Sequence, residues 1–318
     1  MIKSNILIDK SLFTYRLLGW LLINMLIAFL FNNFLNLAFN IPFASDLLTK
    51  NQSLSFIPLL IYLIAFCLSI IISYKNLKKP YSWDSILLHE FNLFFIRSCF
   101  WSVLLVGSID VVIAFMRVEE VNEILFNDDL VRALKKPSFV CTYIHIPLIL
   151  VSFIVGYFTK TLGFTWLALM IVCAELIIVI TRFVFSYEQS FMGDLVRYWY
   201  AALFLFASAY TLFEDGHVRV DVFYTNLKAK TKSIVNAYGS IFLGISTCAA
   251  ILFVGLNGKQ SIINSPILNF EITQQGSVGM FVKYQLAAFL GIFAISMLIQ
   301  FVSYYYLSLS KMNDLKKN

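Results

Sequence analysis

The densest gathering of chemically capable side chains is the run Glu214-Asp215-Gly216-His217-Val218-Arg219-Val220-Asp221. Nowhere else do acid, imidazole and guanidinium meet in so few residues. In an extended chain His217, Arg219 and Asp221 point one way and Val218, Val220 and Val222 the other. Such a strip can bury its valines against protein and offer its charged edge to a partner. Asp221 can equally cap a following helix, by accepting from the N–H of Phe223 or Tyr224. A catalytic His–Asp pair is conceivable, but no nucleophile or metal ligand accompanies it, so assembly is the chemistry these residues fit.

Two further acids, Asp110 and Glu175, stand well inside apolar runs, where an ionisable group is a functional candidate by default. Each has an arginine seven residues on, Arg117 and Arg182. The members of each pair share roughly one helix face but lie about 10 Å apart by helical rise, too far for direct contact unless the side chains bend together. A proton or sodium relay is one reading of these acids. Bridging between helices, or contact with a partner, is the other, since two isolated acids make no continuous path. His89 and His145 do not provide axial ligands at matched depth for a b-type haem. There is no GxxxxGK[ST] phosphate loop and no CxxC or metal-ligand spacing, so neither cofactor nor metal is expected.

The elements that would position these residues follow from composition. The chain has 318 residues, 60% hydrophobic and only 13% charged, against about 25% charged in a soluble domain. Several runs reach the roughly 20 apolar residues that cross a hydrocarbon core. A polytopic, all-α membrane bundle is implied, with no soluble domain of its own. The net charge of +6 does not indicate nucleic acid, because the Lys and Arg lie between apolar runs, as a positive-inside bias would place them. Cys67, Cys99, Cys141, Cys173 and Cys248 are scattered and read as small core residues. The polar lead from Met1 to Arg16 is too long for a cleavable signal, so the first apolar run is read as a retained span.

About eight spans are expected: Leu17–Phe39, Phe56–Tyr74, Phe91–Phe115, Tyr143–Phe158, Phe164–Phe185, Tyr198–Phe213, Ser233–Leu256 and Met280–Leu307. Asn32 and Asn36 share a face of the first and should bond to a neighbouring helix, while Gly239, Gly244 and Gly255 of the seventh allow close helix approach. The mixed-charge segment Arg117–Lys136 and the stretch Ser186–Arg197 read as interfacial amphipathic helices. Eight crossings with most Lys and Arg on the side of the termini give an N-in, C-in bundle with the polar box at the cytoplasmic interface.

The sequence HVRVDV, straight after a membrane helix ending AYT, resembles the small membrane subunit of TRAP transporters, the DctQ type. From about Thr161 to Leu309 the chain is similar to that family span for span. Trp199 in the helix before the box, the turn Gly276-Ser277-Val278-Gly279 and the late Gln300 of the final span extend the likeness. Departures are Phe213 and Glu214 where the family often carries basic residues, and Asp194 and Arg197 before Trp199 where Trp commonly pairs with Glu. Residues 1–160 would be a four-span extension and residues 161–318 the small-permease region.

The resemblance implies a division of labour in a bacterial inner membrane. A large DctM-type permease would bind sodium and an organic acid or other small polar solute and move as an elevator. A periplasmic binding protein would deliver the solute transiently. This chain would be a non-catalytic scaffold among lipids, with Arg197, Trp199, Glu214, Asp215, His217, Arg219 and Asp221 fixing the subunit contact. Two alternatives stand beside it: a self-contained transporter or channel working through Asp110 and Glu175, and an anchor for an unrelated complex.

Overall fold

The structure, a computed structural model, describes residues 2–44, 46, 53–161, 163–214, 224–273 and 276–317. Among them every regular element is helical. In chain order these are α1 (Ile2–Phe39), α2 (Phe56–Lys75), α3 (Tyr81–Val118), α4 (Val121–Leu125), α5 (Asp128–Leu134), α6 (Pro137–Phe158), α7 (Phe164–Val184), α8 (Ser190–Phe213), α9 (Ala229–Gly255), α10 (Asn264–Leu268) and α11 (Lys283–Lys317). The all-α polytopic bundle expected from composition is what is found.

Seven of these helices are long and apolar enough to cross a membrane: α1 from Leu12 onward, α2, α3, α6, α7, α9 and α11 to Leu315. The long helix outside that set is α8, the expected sixth span. Arg197, Tyr198, Trp199 and Tyr200 interrupt its apolar run; ten of its 24 residues are buried, while Tyr200 and Phe204 are exposed. The expected break between an interfacial helix and a span at Arg197 does not occur. Ser190 to Phe213 is one helix, and Phe191, Met192, Leu195 and Val196 are buried inside the protein. The third span likewise starts earlier than expected, at Tyr81 directly after Pro80, so His89 lies within a helix and not in a stretch before one.

Local chemistry explains several boundaries. Asn127 caps α5, its side chain accepting from Leu130 N, with Asp128 and Asp129 in the first turn and Arg132 in the last, as the helix dipole favours. Pro137 opens α6 at a position where no N–H is needed. Further along, Pro147 can neither donate to nor pack under residue 143, and the helix meets it with a π segment over Cys141–His145. A second π segment, Ser240–Ile245, lies within α9.

The chain divides into two compact units, and both halves of the sequence contribute to each. The first takes Met1–Glu90, His217–Ser261 and Met297–Asn318. Here α1 packs on α2. Asn24 Nδ2 donates to Ser69 Oγ at 2.9 Å and Asn32 Nδ2 to Pro58 O at 3.3 Å, the interhelical role expected of asparagine in this span. Asn36 instead donates to Ile41 O just beyond its own helix. Gly244 lies against the ring of Phe301, whose atoms a Cβ would meet at 2.6 Å, while Gly239 has open space.

The second unit takes Phe91–Gly216 and Ile262–Ser296. Its core is built on α8. Phe206 meets Phe100 and Phe289 edge-on, with ring centroids 5.6 and 4.9 Å apart. Trp199 is 2% exposed and donates Nε1–H to Val103 O at 3.2 Å. That indole lies against Gly107, and a Cβ at position 107 would fall inside it. Gly107→Leu is therefore expected to cost about 1–3 kcal/mol by overpacking. The check is thermal unfolding in detergent, where the variant should melt several degrees below the parent.

Candidate functional site

The residues that lead into the last helix, 276–282, form no long regular element, so their backbone groups need partners from elsewhere. The second unit supplies them from ionisable side chains. Arg117, in the last turn of α3, donates Nε–H to Ser277 O at 2.7 Å and Nη2–H to Gly279 O at 2.5 Å. Its guanidinium carbon sits 4.0 Å from the ring centre of Phe281, a cation–π contact. Asp194 Oδ2 accepts from Met280 N at 3.2 Å and from Thr273 Oγ1 at 2.8 Å. Asp110 Oδ2 accepts from Phe281 N at 2.8 Å. Charge-assisted bonds of this kind are the stronger ones available to a buried backbone.

Asp110 also begins a polar chain through the interior. Its Oδ1 is 3.2 Å from His145 Nε2, and His145 Nδ1 is 3.1 Å from Tyr284 Oη. Gln285 Nε2 donates to Tyr284 Oη at 2.8 Å, and Tyr198 Oη donates to Gln285 Oε1. The hydrogens can run in one direction throughout, from the Tyr198 hydroxyl to the Asp110 carboxylate. Asp110 and His145 are both fully buried. The π segment before Pro147 ends on His145 and sets its place in α6.

The first unit holds a second knot. Arg16 Nε donates to Asp84 Oδ2 at 2.8 Å, and Trp20 Nε1 donates to Asp84 Oδ1 at 3.0 Å. The remaining guanidinium nitrogens reach Asn76 O and Lys79 O at 2.5 and 2.6 Å. The two side chains are 1% and 0% exposed. His89 Nδ1 lies 3.2 Å from Gln300 Oε1, and Ser85 Oγ 3.1 Å from Ser303 Oγ, so α3 and α11 are tied below this pair.

The residues singled out in the sequence therefore have different fates. Asp110 is at the centre of the buried chain. Trp199 is buried beside α3. Arg197 is exposed and reaches toward Asp194, with 3.9 Å between Nη1 and Oδ1. Glu214 is exposed at the end of α8. Glu175 is exposed near the middle of α7 and, among the described residues, makes no hydrogen bond or ion pair. Asp215, His217, Arg219 and Asp221 lie outside the described residues. Sequence reasoning missed Arg16, Asp84, Asp194 and the role of His145. Asp84 had a local signal, a Pro followed by an acid in what proves to be a first helical turn. The others are defined by partners up to 139 residues away and have none. Among the described residues no three His, Cys, Asp or Glu side chains gather as a metal site.

Comparison with protein families matches residues 168–307 to the DctQ component of the tripartite ATP-independent periplasmic transporters. The chain carries a DctQ domain. No curated protein sequence and no solved structure matches the chain. α1 to α6 precede the matched residues. The match takes in α8, α9, nearly all of α7 and most of α11, and with them Asp194, Tyr198, Phe281, Tyr284 and Gln285. Asp110, Arg117 and His145 come from the preceding helices. The lead-in to the last DctQ helix is thus held by residues from both sides of the domain's boundary.

Proposed function

We propose that this protein is the small, Q-type subunit of a tripartite TRAP transporter in a bacterial inner membrane. It acts as a non-catalytic scaffold beside a large elevator permease, in sodium-driven uptake of an organic acid or similar small polar solute delivered by a periplasmic binding protein. Residues 1–160 are a membrane extension and 161–318 the small-permease region. With α8 counted as an eighth crossing, both termini lie in the cytoplasm and the HVRVDV box faces that side, where His217, Arg219 and Asp221 fix the register of the partner.

The observation that carries this reading beyond the family match is how the buried acids are used. Asp84, Asp110 and Asp194 each accept two hydrogen bonds from the chain's own donors. A carboxylate held in this way ties helices together, and a passing ion or solute would have to compete with those donors for it. A self-contained transporter working through Asp110 would need that side chain to be released.

Co-purification tests the role. When this chain is tagged and co-expressed with the large permease of the same genome, the permease should be recovered in stoichiometric amount after detergent extraction. Arg219→Ala should reduce that recovery while leaving the tagged chain's own yield unchanged. Recovery of no large permease under any mild extraction would refute the subunit role.

A further inference from the structure

We propose that the stripe Ala168, Val172, Glu175, Val179 and Arg182 on α7 is the seat of one transmembrane helix of the large permease, and that this helix carries a hydrogen-bond-donating or cationic side chain at mid-membrane opposite Glu175. The inference rests on the subunit role above and adds where the partner binds and with what chemistry.

α7 shows protein on one side only. Leu167, Ile171 and Ala174 are its buried residues, and it packs on α8. Glu175 lies beside that buried line and is exposed, as are Val172 at 64% and Val179 at 49%. It is eleven residues into a helix of 21, so by helical rise it stands about 16 Å from the end, near the centre of the hydrocarbon. An acid left there facing lipid is expensive and is expected to face a partner, water or another polar group. Arg182, also exposed, is about 10 Å further along the same face and cannot meet it directly. Nothing else among the described residues bonds to Glu175.

The spacing around this acid suits a helix. Positions 168, 172, 175, 179 and 182 alternate steps of four and three, the pattern by which one helix packs against another. Val172 and Val179 flank the acid with compact apolar side chains, and Ala168 at one end of the stripe lets a second backbone come close. The stripe therefore offers a shallow apolar seam, an acceptor at its centre and a cation toward its end. A permease helix with a donor at mid-depth and an acceptor toward one end complements both charges. By contrast α2, also a peripheral span, presents an exposed surface of Leu59, Leu60, Leu63, Ile64 and Ile71 with no acid or base in it, as a lipid-facing helix should.

The test uses the co-expressed complex of the full chain and the large permease. A photo-crosslinking residue is placed at Val172 or Val179, and at Leu63 of α2 as the control. The first two should crosslink to the permease and the control should not. Glu175→Leu should lower permease recovery at least tenfold, and Glu175→Gln, which keeps an acceptor, by no more than about threefold. Each variant chain alone should melt as the parent does, because among the described residues Glu175 has no bond to lose. If the permease co-purifies but the stripe crosslinks only to lipid or to a second copy of this chain, the inference is wrong and the subunit role stands. Undiminished recovery with Glu175→Leu overturns the inference in the same way. If the unaltered chain recovers no permease at all, the subunit role fails and takes the inference with it.

Discussion

Asp84→Ala is expected to destabilise the protein by about 3–5 kcal/mol, the usual cost of removing one partner from a buried ion pair. The carboxylate it removes takes hydrogen bonds from Arg16 and Trp20. What stays behind is a guanidinium 1% exposed, held by two backbone carbonyls and stacked 5.0 Å from the centre of the Tyr81 ring, with no counter-charge. Arg16 also accepts, through its own carbonyl, from the Tyr306 hydroxyl at 2.7 Å, so loosening this turn of α1 frees α11 as well. The double replacement of Arg16 and Asp84 by apolar residues of similar volume should be milder than either single change, because no buried charge is then left alone. Unfolding of the purified chain in detergent reads both. An Asp84→Ala variant that melts within a degree of the parent would mean that the pair is open to water.

Asp110→Ala is the second large effect. It leaves the Phe281 N–H and the His145 Nε2 group without their acceptor, at about 1–3 kcal/mol for each orphaned buried group. Asp110→Asn keeps an oxygen for Phe281 N–H and should cost less. The difference should also be local. Amide exchange at Met280, Phe281 and Val282 should accelerate at least tenfold in the alanine variant, while exchange in α2 stays as it was. If exchange rises equally everywhere, the acid supports the whole fold and not the lead-in to the last helix. His145→Ala should resemble Asp110→Asn, since Phe281 keeps its acceptor.

Much of the fold was legible because a hydrocarbon slab imposes one length on whatever crosses it. α2 and α7 end within a residue of the limits read from the apolar runs Phe56–Tyr74 and Phe164–Phe185. α8 was misdivided for the opposite reason. Arg197 and the aromatic cluster after it suit a helix end at an interface, but here they sit mid-helix, with Tyr198 and Trp199 fully enclosed by protein that no local pattern reveals. The start of α3 was missed because its first ten residues, Tyr81–Glu90, are too polar to read as part of an apolar run, while the structure buries Asp84 against Arg16 and His89 against Gln300.

The site was legible in outline. Asp110 stood out as an acid in an apolar run, and the turn before the last helix stood out through its glycines. Their meeting could not be read, since Asp110 and Phe281 are 171 residues apart, and pairing over that distance leaves no periodicity behind. The two π segments were invisible too, although Pro147 in mid-span was a sufficient reason to expect a disturbed turn before it. The family likeness is carried by HVRVDV, and the DctQ match over residues 168–307 covers most of the stretch from Thr161 to Leu309.

Uptake into proteoliposomes puts the division of labour to its most direct test. Vesicles are loaded with this chain alone, with the large permease alone, or with the complex, and solute uptake driven by an inward sodium gradient is followed in the presence of the binding protein. Uptake should require the complex, and vesicles holding only this chain should not exceed protein-free vesicles. In the complex, Asp110→Asn should retain uptake in proportion to the amount of complex reconstituted. Sodium-dependent accumulation by this chain without a partner, abolished by Asp110→Asn, would contradict the account.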